Sequence, residues 1–480
     1  MRILFVEGPP TLDWVPESHV STGGRRHPSL NVTGELVYSY LNLSAAAVAR
    51  HRGHDIFYIH CQTEGVTISK LRKMMEKLQP DVTVIYIEHI KKGVDFEIAK
   101  IAKQINSLSI FVGPFATALG KDLLVSSQAD MIAKREYDYT ITEIADCLET
   151  KKDFSGVKGI IYKKGKKIVD TGEKGLIKDL DKLPIPAYDL VDLKKFFEIV
   201  FLRFPTATVI SSRGCPFRCV FCAFPNTIYS HEFRAQSPQR VLEEAKYLQD
   251  EFGVKEIRYD DDTFEVSSKR VFDICNLFRK EGVDMYWAPQ CRPGLMTKKL
   301  VTEMAKAGCI RILFGVESGD DKILKLINKG TTTAEIARGV KLSKQAGIDV
   351  LNCIIFGFMW DTMDTMRKTL GFACKLNAEF TQFSIATPLP GTPYYDVVKS
   401  KGYLVSDWEN CDSFHKAGVN FPQLSSDDIT CFLKEAYSKY YLRSNYASLM
   451  LKRSLMSKEK FSQTLRMAKA YLDRKKEGWM

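Results

Sequence analysis

Between Ala207 and Ala386 an apolar, strand-like run recurs six times, at 207–211, 254–259, 284–288, 310–316, 348–356 and 379–385, with a helical segment between successive runs. Short apolar runs alternating with helices fold as βα units, because a parallel strand needs a helix on each face to cover it. Six units in succession predict a partial (β/α)6 barrel, in which functional loops gather at the carboxyl ends of the strands. The helix over 241–252 starts as this reading requires, with Ser237 as cap and Pro238 in the first turn.

A second alternating block fills residues 1–150. Ile3–Val6 reads as a buried strand ending at Gly8-Pro9-Pro10, Leu43–His51 as a helix closed by Gly53, and 55–59, 82–87 and 108–112 as further strands. This predicts a doubly wound (Rossmann-like) parallel sheet with its ligand at the strands' carboxyl ends. The polar stretch Leu12–Thr33 reads as a loop, with a lid over the ligand as the alternative. Residues 151–195 read as a connector: Lys163-Lys164-Gly165-Lys166-Lys167 is hairpin-like, and Pro184 and Pro186 fit neither a helix interior nor a central strand. The domains expected are therefore 1–150, a connector at 151–195, a barrel at 196–395 and a small, mainly helical C-terminal region at 396–480. Residues 431–478 carry 12 Lys and Arg against 4 Asp and Glu, read first as a solvated basic face.

Composition narrows the class. With 45% hydrophobic and 26% charged residues, the 480-residue chain matches a soluble globular protein, which excludes collagen-like and disordered classes. No apolar run reaches the length of a spanning helix, and Met1–Val6 meets Glu7 too soon for a signal peptide, so a cytoplasmic location is expected. Twelve cysteines in that setting stay reduced, and their positions matter more than their number. The net charge of +11 reads as a Lys-rich surface before it reads as a site for acidic partners.

Three cysteines, Cys215, Cys219 and Cys222, stand at C-x3-C-x2-C directly after the first barrel strand. Three thiolates from one short loop hold three irons of a 4Fe-4S cluster and leave the fourth open to an outside ligand. Structural zinc is the alternative, but it takes four protein ligands and no second cysteine pair is present.

This spacing, with Phe221 before the third cysteine, resembles the radical S-adenosylmethionine (SAM) enzymes, over about residues 196–395. The resemblance implies that the open iron binds the amino and carboxylate groups of SAM. An electron from an external donor then cleaves its C–S bond to give a 5′-deoxyadenosyl radical. Asp260-Asp261-Asp262-Thr263-Phe264, after the second strand, resembles the DDxF segment of one subgroup, and Gly315-Val316-Glu317-Ser318-Gly319, closing the fourth, its ESG segment. By that likeness Phe221, Asp261, Asp262 and Glu317 bind SAM, Glu317 through the ribose hydroxyls. Trp287, Gln290 and Arg292 fall where SAM carboxylate or substrate is contacted, with a structural ion pair as the alternative for Arg292. Phe356–Thr362 departs from the subgroup's GLPGET, since Met359 and Trp360 replace Pro and Gly, whereas Thr387–Pro393 matches well.

A doubly wound domain ahead of such a barrel, joined by Asp179-Leu180-Asp181-Lys182-Leu183-Pro184-Ile185-Pro186, resembles the cobalamin-binding (class B) radical SAM enzymes, and the likeness then runs from residue 1 to about 445. Val112–Thr117 is similar to the class's GGPHAT turn, with one Gly and with Phe115 for His; Ala133–Glu136 is similar to its RGE turn, with Arg135 for Gly. The resemblance implies cobalamin contacts from Pro9, Glu88, Gly113, Pro114 and Glu136. His19, His27, His54, His60 and His89 do not occur in a D-x-H-x-x-G string, so no histidine on cobalt is expected. Nicotinamide is the competing ligand, but Glu7-Gly8-Pro9-Pro10 is not G-x-G-x-x-G.

The implied activity is that of a cobalamin-dependent radical SAM methyltransferase: methyl transfer from methylcobalamin to an unactivated carbon after hydrogen abstraction by the 5′-deoxyadenosyl radical. A cyclase or rearrangement enzyme of the same class is the alternative. A methylthiotransferase needs three cysteines in its first domain, where residues 1–200 hold only Cys61 and Cys147. Nucleic-acid binding by the basic C-terminal region has no accompanying motif. The substrate, whether small molecule, lipid or peptide side chain, is not legible, and no general acid or base is singled out.

Overall fold

Ile3, Leu4, Phe5 and Val6 are wholly buried, which is what a central strand covered on both faces requires. They form β1 (Arg2–Glu7). The computed structural model describes residues 1–15, 21–23, 29–31 and 35–476. Most of the expected Leu12–Thr33 loop, with His19 and His27, lies outside the described residues.

Around β1 the chain continues through α1 (Tyr40–His51), β2 (Asp55–His60), α2 (Ile68–Leu78), β3 (Val82–Tyr86), α3 (Lys92–Gln104), β4 (Leu108–Val112), α4 (Pro114–Leu119), β5 (Met131–Ala133) and α5 (Asp138–Glu149). The strand order is β2-β1-β3-β4-β5, all parallel. Ser39 caps α1 by accepting from Asn42 N, and residues 40–49 of that helix are buried throughout. Two antiparallel strands, β6 (Ile160–Lys164) and β7 (Lys167–Asp170), extend the sheet beyond β5. The basic hairpin in the expected connector is thus the edge of the first sheet. Its lysines face outward, which explains why it reads as a link, yet Ile160, Ile161 and Tyr162 are buried. This unit takes in residues 1–196 together with 223–230 and 389–392.

The second unit holds β8 (Thr206–Val209), α6 (Pro238–Phe252), β9 (Glu256–Tyr259), α7 (Ser268–Lys280), β10 (Tyr286–Cys291), α8 (Lys298–Lys306), β11 (Arg311–Glu317), α9 (Asp321–Leu326), α10 (Thr333–Gln345), β12 (Asp349–Phe356), α11 (Met363–Leu376) and β13 (Phe380–Ile385). Six parallel strands lie in sequential order β8 to β13, the partial barrel expected. The third strand runs three residues further than the sequence suggested, through Pro289 to Cys291. Proline is tolerated there because the strand changes partners at that point: Pro289 pairs Tyr259 of β9, and Gln290 pairs Leu313 of β11. The mainly helical remainder comprises α12 (Pro393–Ser400), α13 (Ser426–Tyr441), α14 (Ser444–Ser454) and α15 (Lys458–Lys476).

At the amino-terminal ends of the strands, buried charges tie α14 and α15 to the barrel. Arg453 Nη2 donates to Asp349 at 2.7 Å, Lys460 lies 3.2 Å from the same carboxylate, and Arg311 lies 3.4 Å from Glu256. Tyr446 Oη donates to the Glu379 carbonyl, and Arg466 to the Phe201 carbonyl.

Candidate active site

The cysteine loop leaves the carboxyl end of β8 and is fixed from below by Asp261. That carboxylate accepts from Ser211 N at 2.7 Å, Ser211 Oγ at 2.8 Å and Ser212 Oγ at 2.6 Å, and it is fully buried. Burial pushes its carboxyl up while Arg270 opposes, and Arg270 in turn donates to the Ser211 carbonyl and hydroxyl. Both Asp261 oxygens accept hydrogen bonds from the loop's entry, which the residue positions. Its neighbour Asp262 is less buried and accepts from Gly214 N at 3.2 Å, where Gly214 adopts φ +83°. That left-handed turn is open to glycine and sends the chain directly into Cys215.

Cys215 and Cys219 are buried and Cys222 is partly exposed; none forms a disulfide. The His231 ring donates from Nδ1 to the carbonyls of Cys215 and Phe217, at 3.0 and 2.9 Å. Val220 N bonds the Ile327 carbonyl, and Val220 O accepts from Tyr394 N. Two polar groups lie against the sulfurs: Thr263 Oγ1, which donates to the Asp262 carbonyl, is 3.3 Å from Cys215 Sγ, and Arg292 Nη1 donates to Cys219 Sγ at 3.7 Å. Three thiols from one loop, with polar groups against the sulfur, fit an iron–sulfur cluster.

Arg292 is more than the ion pair considered from sequence. Its guanidinium stacks 3.7 Å over the Phe217 ring and donates to the Lys329 carbonyl, while its backbone N donates to Glu265 at 2.6 Å. Burial raises the Glu265 carboxyl to about 7. Gln290 is directed to Asp260, its side chain donating to that carboxylate. Trp287, in contrast, is core: it is 1% exposed, its Nε1 donates to the Ala307 carbonyl, and it packs edge-on against Tyr259 and Phe278. The strand β10 continues past Trp287, so Gln290 and Cys291 rather than Trp287 form its carboxyl end, with Arg292 following.

Glu317 ends β11 at φ +64°, after a register shift between Gly315 and Glu317. Its Oε1 pairs with Lys329 Nζ at 2.7 Å, and both residues are buried. A Cβ on Gly315 would stand 2.4 Å from that oxygen and 2.7 Å from that nitrogen, so the glycine makes room for the pair. Lys329 escaped the sequence reading. Its signal is local: it follows Glu317 by one short helix and precedes Gly330, at φ +66°. Phe221 packs on Phe358, which packs on Tyr394. The Met359–Trp360 departure is held in place by Tyr394 Oη, which accepts from Met359 N, and by Asp361, whose carboxyl burial raises to about 6.

Within the first unit, an open cleft lies at the carboxyl ends of β3 and β4. Tyr86, Ile87, Glu88, His89, Pro114 and Phe115 line it, with Ala223, Phe224, Leu389 and Pro390 on its other side. Burial pushes the Glu88 carboxyl up, against the pull of Lys91 3.2 Å away. Gly113 takes φ +104°, and a Cβ there would meet the Tyr86 ring at 3.1 Å. Of the expected cobalamin residues, Glu88 and Pro114 line the cleft and Gly113 shapes its turn. Pro9 and Glu136 do not line it: Pro9 is buried at the end of β1, and Glu136 accepts from Ile177 N at 2.9 Å. A mainly apolar wall beside a side-chain-free turn fits a broad, flat group such as a corrin.

Residues 209–373 match the radical SAM superfamily model. The chain is 32% identical over 408 residues to an uncharacterized methyltransferase, PH0819, of Pyrococcus horikoshii, covering 84% of this chain and 88% of that one. It is 25% identical to an anaerobic magnesium-protoporphyrin IX monomethyl ester cyclase of Cereibacter sphaeroides, over 84% of this chain and 64% of the cyclase. Among solved structures, the radical SAM methyltransferase TsrM of Kitasatospora setae, with cobalamin and a [4Fe-4S] cluster bound, superposes with a TM-score of 0.65 at 16% identity, covering 83% of this chain and 75% of that one. The cobalamin-dependent radical SAM enzyme OxsB, with aqua-cobalamin bound, gives 0.71 at 17% identity over 98% and 72%. The chain belongs to the family of the PH0819 methyltransferase, carries a radical SAM domain, and has the fold of the cobalamin-dependent radical SAM enzymes TsrM and OxsB.

Proposed function

We propose that this chain transfers a methyl group to an unactivated carbon of its substrate. The observation that carries the reading is the extent of the likeness to a methyltransferase, which spans both units. When bound, the cluster and SAM supply a carbon-centred radical and cobalamin supplies a transferable methyl group. The chain's own residues hold and orient. Cys215, Cys219 and Cys222 are the cluster ligands, with Thr263 and Arg292 addressing the sulfurs. Asp262, Gln290, Arg292, Glu317 and Phe221 form the SAM wall, with Asp261 fixing the loop from behind. Glu88, Gly113 and Pro114 contact the corrin.

Radical SAM enzymes need an electron donor, and no described helix is long and apolar enough to cross a membrane. The likeness to a cyclase over 84% of the chain supports ring closure without methyl transfer as the second reading. One assay separates the two. The full chain is reconstituted anaerobically with iron, sulfide and cobalamin, supplied with SAM, a reductant and candidate substrates, and its products are read by mass spectrometry. Methyl transfer yields S-adenosylhomocysteine together with 5′-deoxyadenosine; 5′-deoxyadenosine alone, with a cyclised product, supports the cyclase. The Cys215→Ala/Cys219→Ala/Cys222→Ala variant should lose both the brown absorbance and SAM cleavage, and retention of about four irons per chain would refute the ligand set.

A further inference from the structure

Seven of the thirteen large hydrophobic side chains exposed among the described residues fall between 442 and 472, in or beside the last two helices. On α15 the exposed apolar positions are Phe461, Leu465, Ala468 and Leu472, spaced 4, 3 and 4 residues apart, so they form one continuous stripe. On α14 and the turn after it, Leu451, Leu455 and Met456 are exposed by 65 to 81%. Folding does not require this face. The opposite sides of both helices already dock on the amino-terminal end of the barrel, through Tyr446, Arg453, Lys460, Gln463 and Arg466. Contiguous exposed apolar surface of this kind marks an interaction site.

We propose that α14 and α15 form a docking surface for an anionic lipid bilayer. Charge selects the occupant. Residues 442–476 carry 10 Lys and Arg against 2 Asp and Glu; Arg453, Lys460 and Arg466 are turned to the barrel, while Lys452, Lys458 and Lys469 are exposed beside the apolar side chains. A second copy of the same face would bring two such fields together, whereas an anionic headgroup layer neutralises them. Apolar side chains interleaved with Lys and Arg on helices too polar to span are the pattern of interfacial helices, which sink their apolar face to the acyl boundary. The surface lies at the strands' amino ends, and the cysteine loop leaves a carboxyl end, so docking and chemistry occupy separate residues.

The test is flotation of the reconstituted full chain with vesicles of phosphatidylcholine alone, or with roughly a third phosphatidylglycerol. The chain should float with the anionic vesicles and not with the neutral ones, and binding should weaken as salt is raised. Leu455→Glu/Phe461→Glu/Leu465→Glu should reduce flotation about tenfold or more while keeping helical content, iron content and SAM cleavage. A milder Lys458→Gln/Lys469→Gln pair, which keeps the apolar stripe, should weaken flotation and flatten its salt dependence. Failure of the folded wild-type chain to float with anionic vesicles would overturn the proposal. So would a dimer that the triple Glu variant dissociates without any vesicle binding, or a salt-sensitive shift with bulk RNA in its place.

Discussion

The guanidinium of Arg292 lies 3.7 Å from the thiol of Cys219. A cation at that distance stabilises the more negative state of whatever the thiolate binds, and an N–H aimed at sulfur does the same. Arg292→Leu should therefore make the cluster harder to reduce, by roughly 1 kcal/mol, or about 40 mV for a one-electron couple. Potentiometric titration followed by electron paramagnetic resonance reads this directly, with iron content as the control. Arg292→Lys should recover part of the shift, since the charge remains but the stacked, forked geometry does not. An unchanged potential in the Leu variant would remove Arg292 from the cluster's environment.

Glu317 and Lys329 form a buried pair, so removing one partner alone leaves a charge uncompensated, at a cost of about 3 to 5 kcal/mol. Glu317→Gln should lower stability and SAM affinity together. Pairing it with Lys329→Met separates the two effects: stability should return, while SAM affinity stays reduced by roughly 1 to 3 kcal/mol if the carboxylate addresses the ribose. Equilibrium binding of SAM to the reconstituted double variant decides the role, and wild-type affinity there would make the pair purely structural.

Asp95 is wholly buried, and burial raises its carboxyl to about 7. The unfolded carboxyl titrates near 3.9. Between those values the unfolded state gives up its proton first, so the stability Asp95 supports is full at low pH and is lost as pH rises toward 7. The slope is at most about 1.4 kcal/mol per pH unit. Asp95→Asn should flatten the dependence of the thermal midpoint on pH over that window; a variant with the parent's slope would assign the titration to another group.

The six barrel strands and the first four strands of the Rossmann-like sheet were legible because each is an apolar run bounded by helix signals. Two limits have physical causes. Pro289 reads as a strand end, but it sits where β10 exchanges one neighbour for another. The arrangement of Asp261, Trp287 and Lys329 depends on which side chain already has partners, and that is set by packing between separate segments, 50 residues apart for Asp261 and Ser211 and 20 for Trp287 and Ala307. The cysteine spacing is legible because all three ligands come from one loop. The cleft of the first unit is legible only in part: Glu88 and Pro114 follow strand ends, but the wall of Ala223, Phe224, Leu389 and Pro390 comes from stretches far along the chain.

Among the described residues His89 is the histidine lining the first unit's cleft, where its ring packs near Phe115, so the expectation of no histidine on cobalt can be tested there. Gly113 offers an independent handle on the same cleft. Its positive φ and the Tyr86 ring at 3.1 Å mean that Gly113→Ala must strain the backbone and displace the ring, at a cost of about 1 to 3 kcal/mol. Cobalamin retained after anaerobic reconstitution and desalting should fall sharply in Gly113→Ala and persist in His89→Ala. Electron paramagnetic resonance of the reduced, one-electron cobalt form should show lines without nitrogen triplets in the parent chain. Triplets that vanish in His89→Ala would put that imidazole on the metal. Retention by Gly113→Ala equal to the parent's would move the corrin away from the β4–α4 turn.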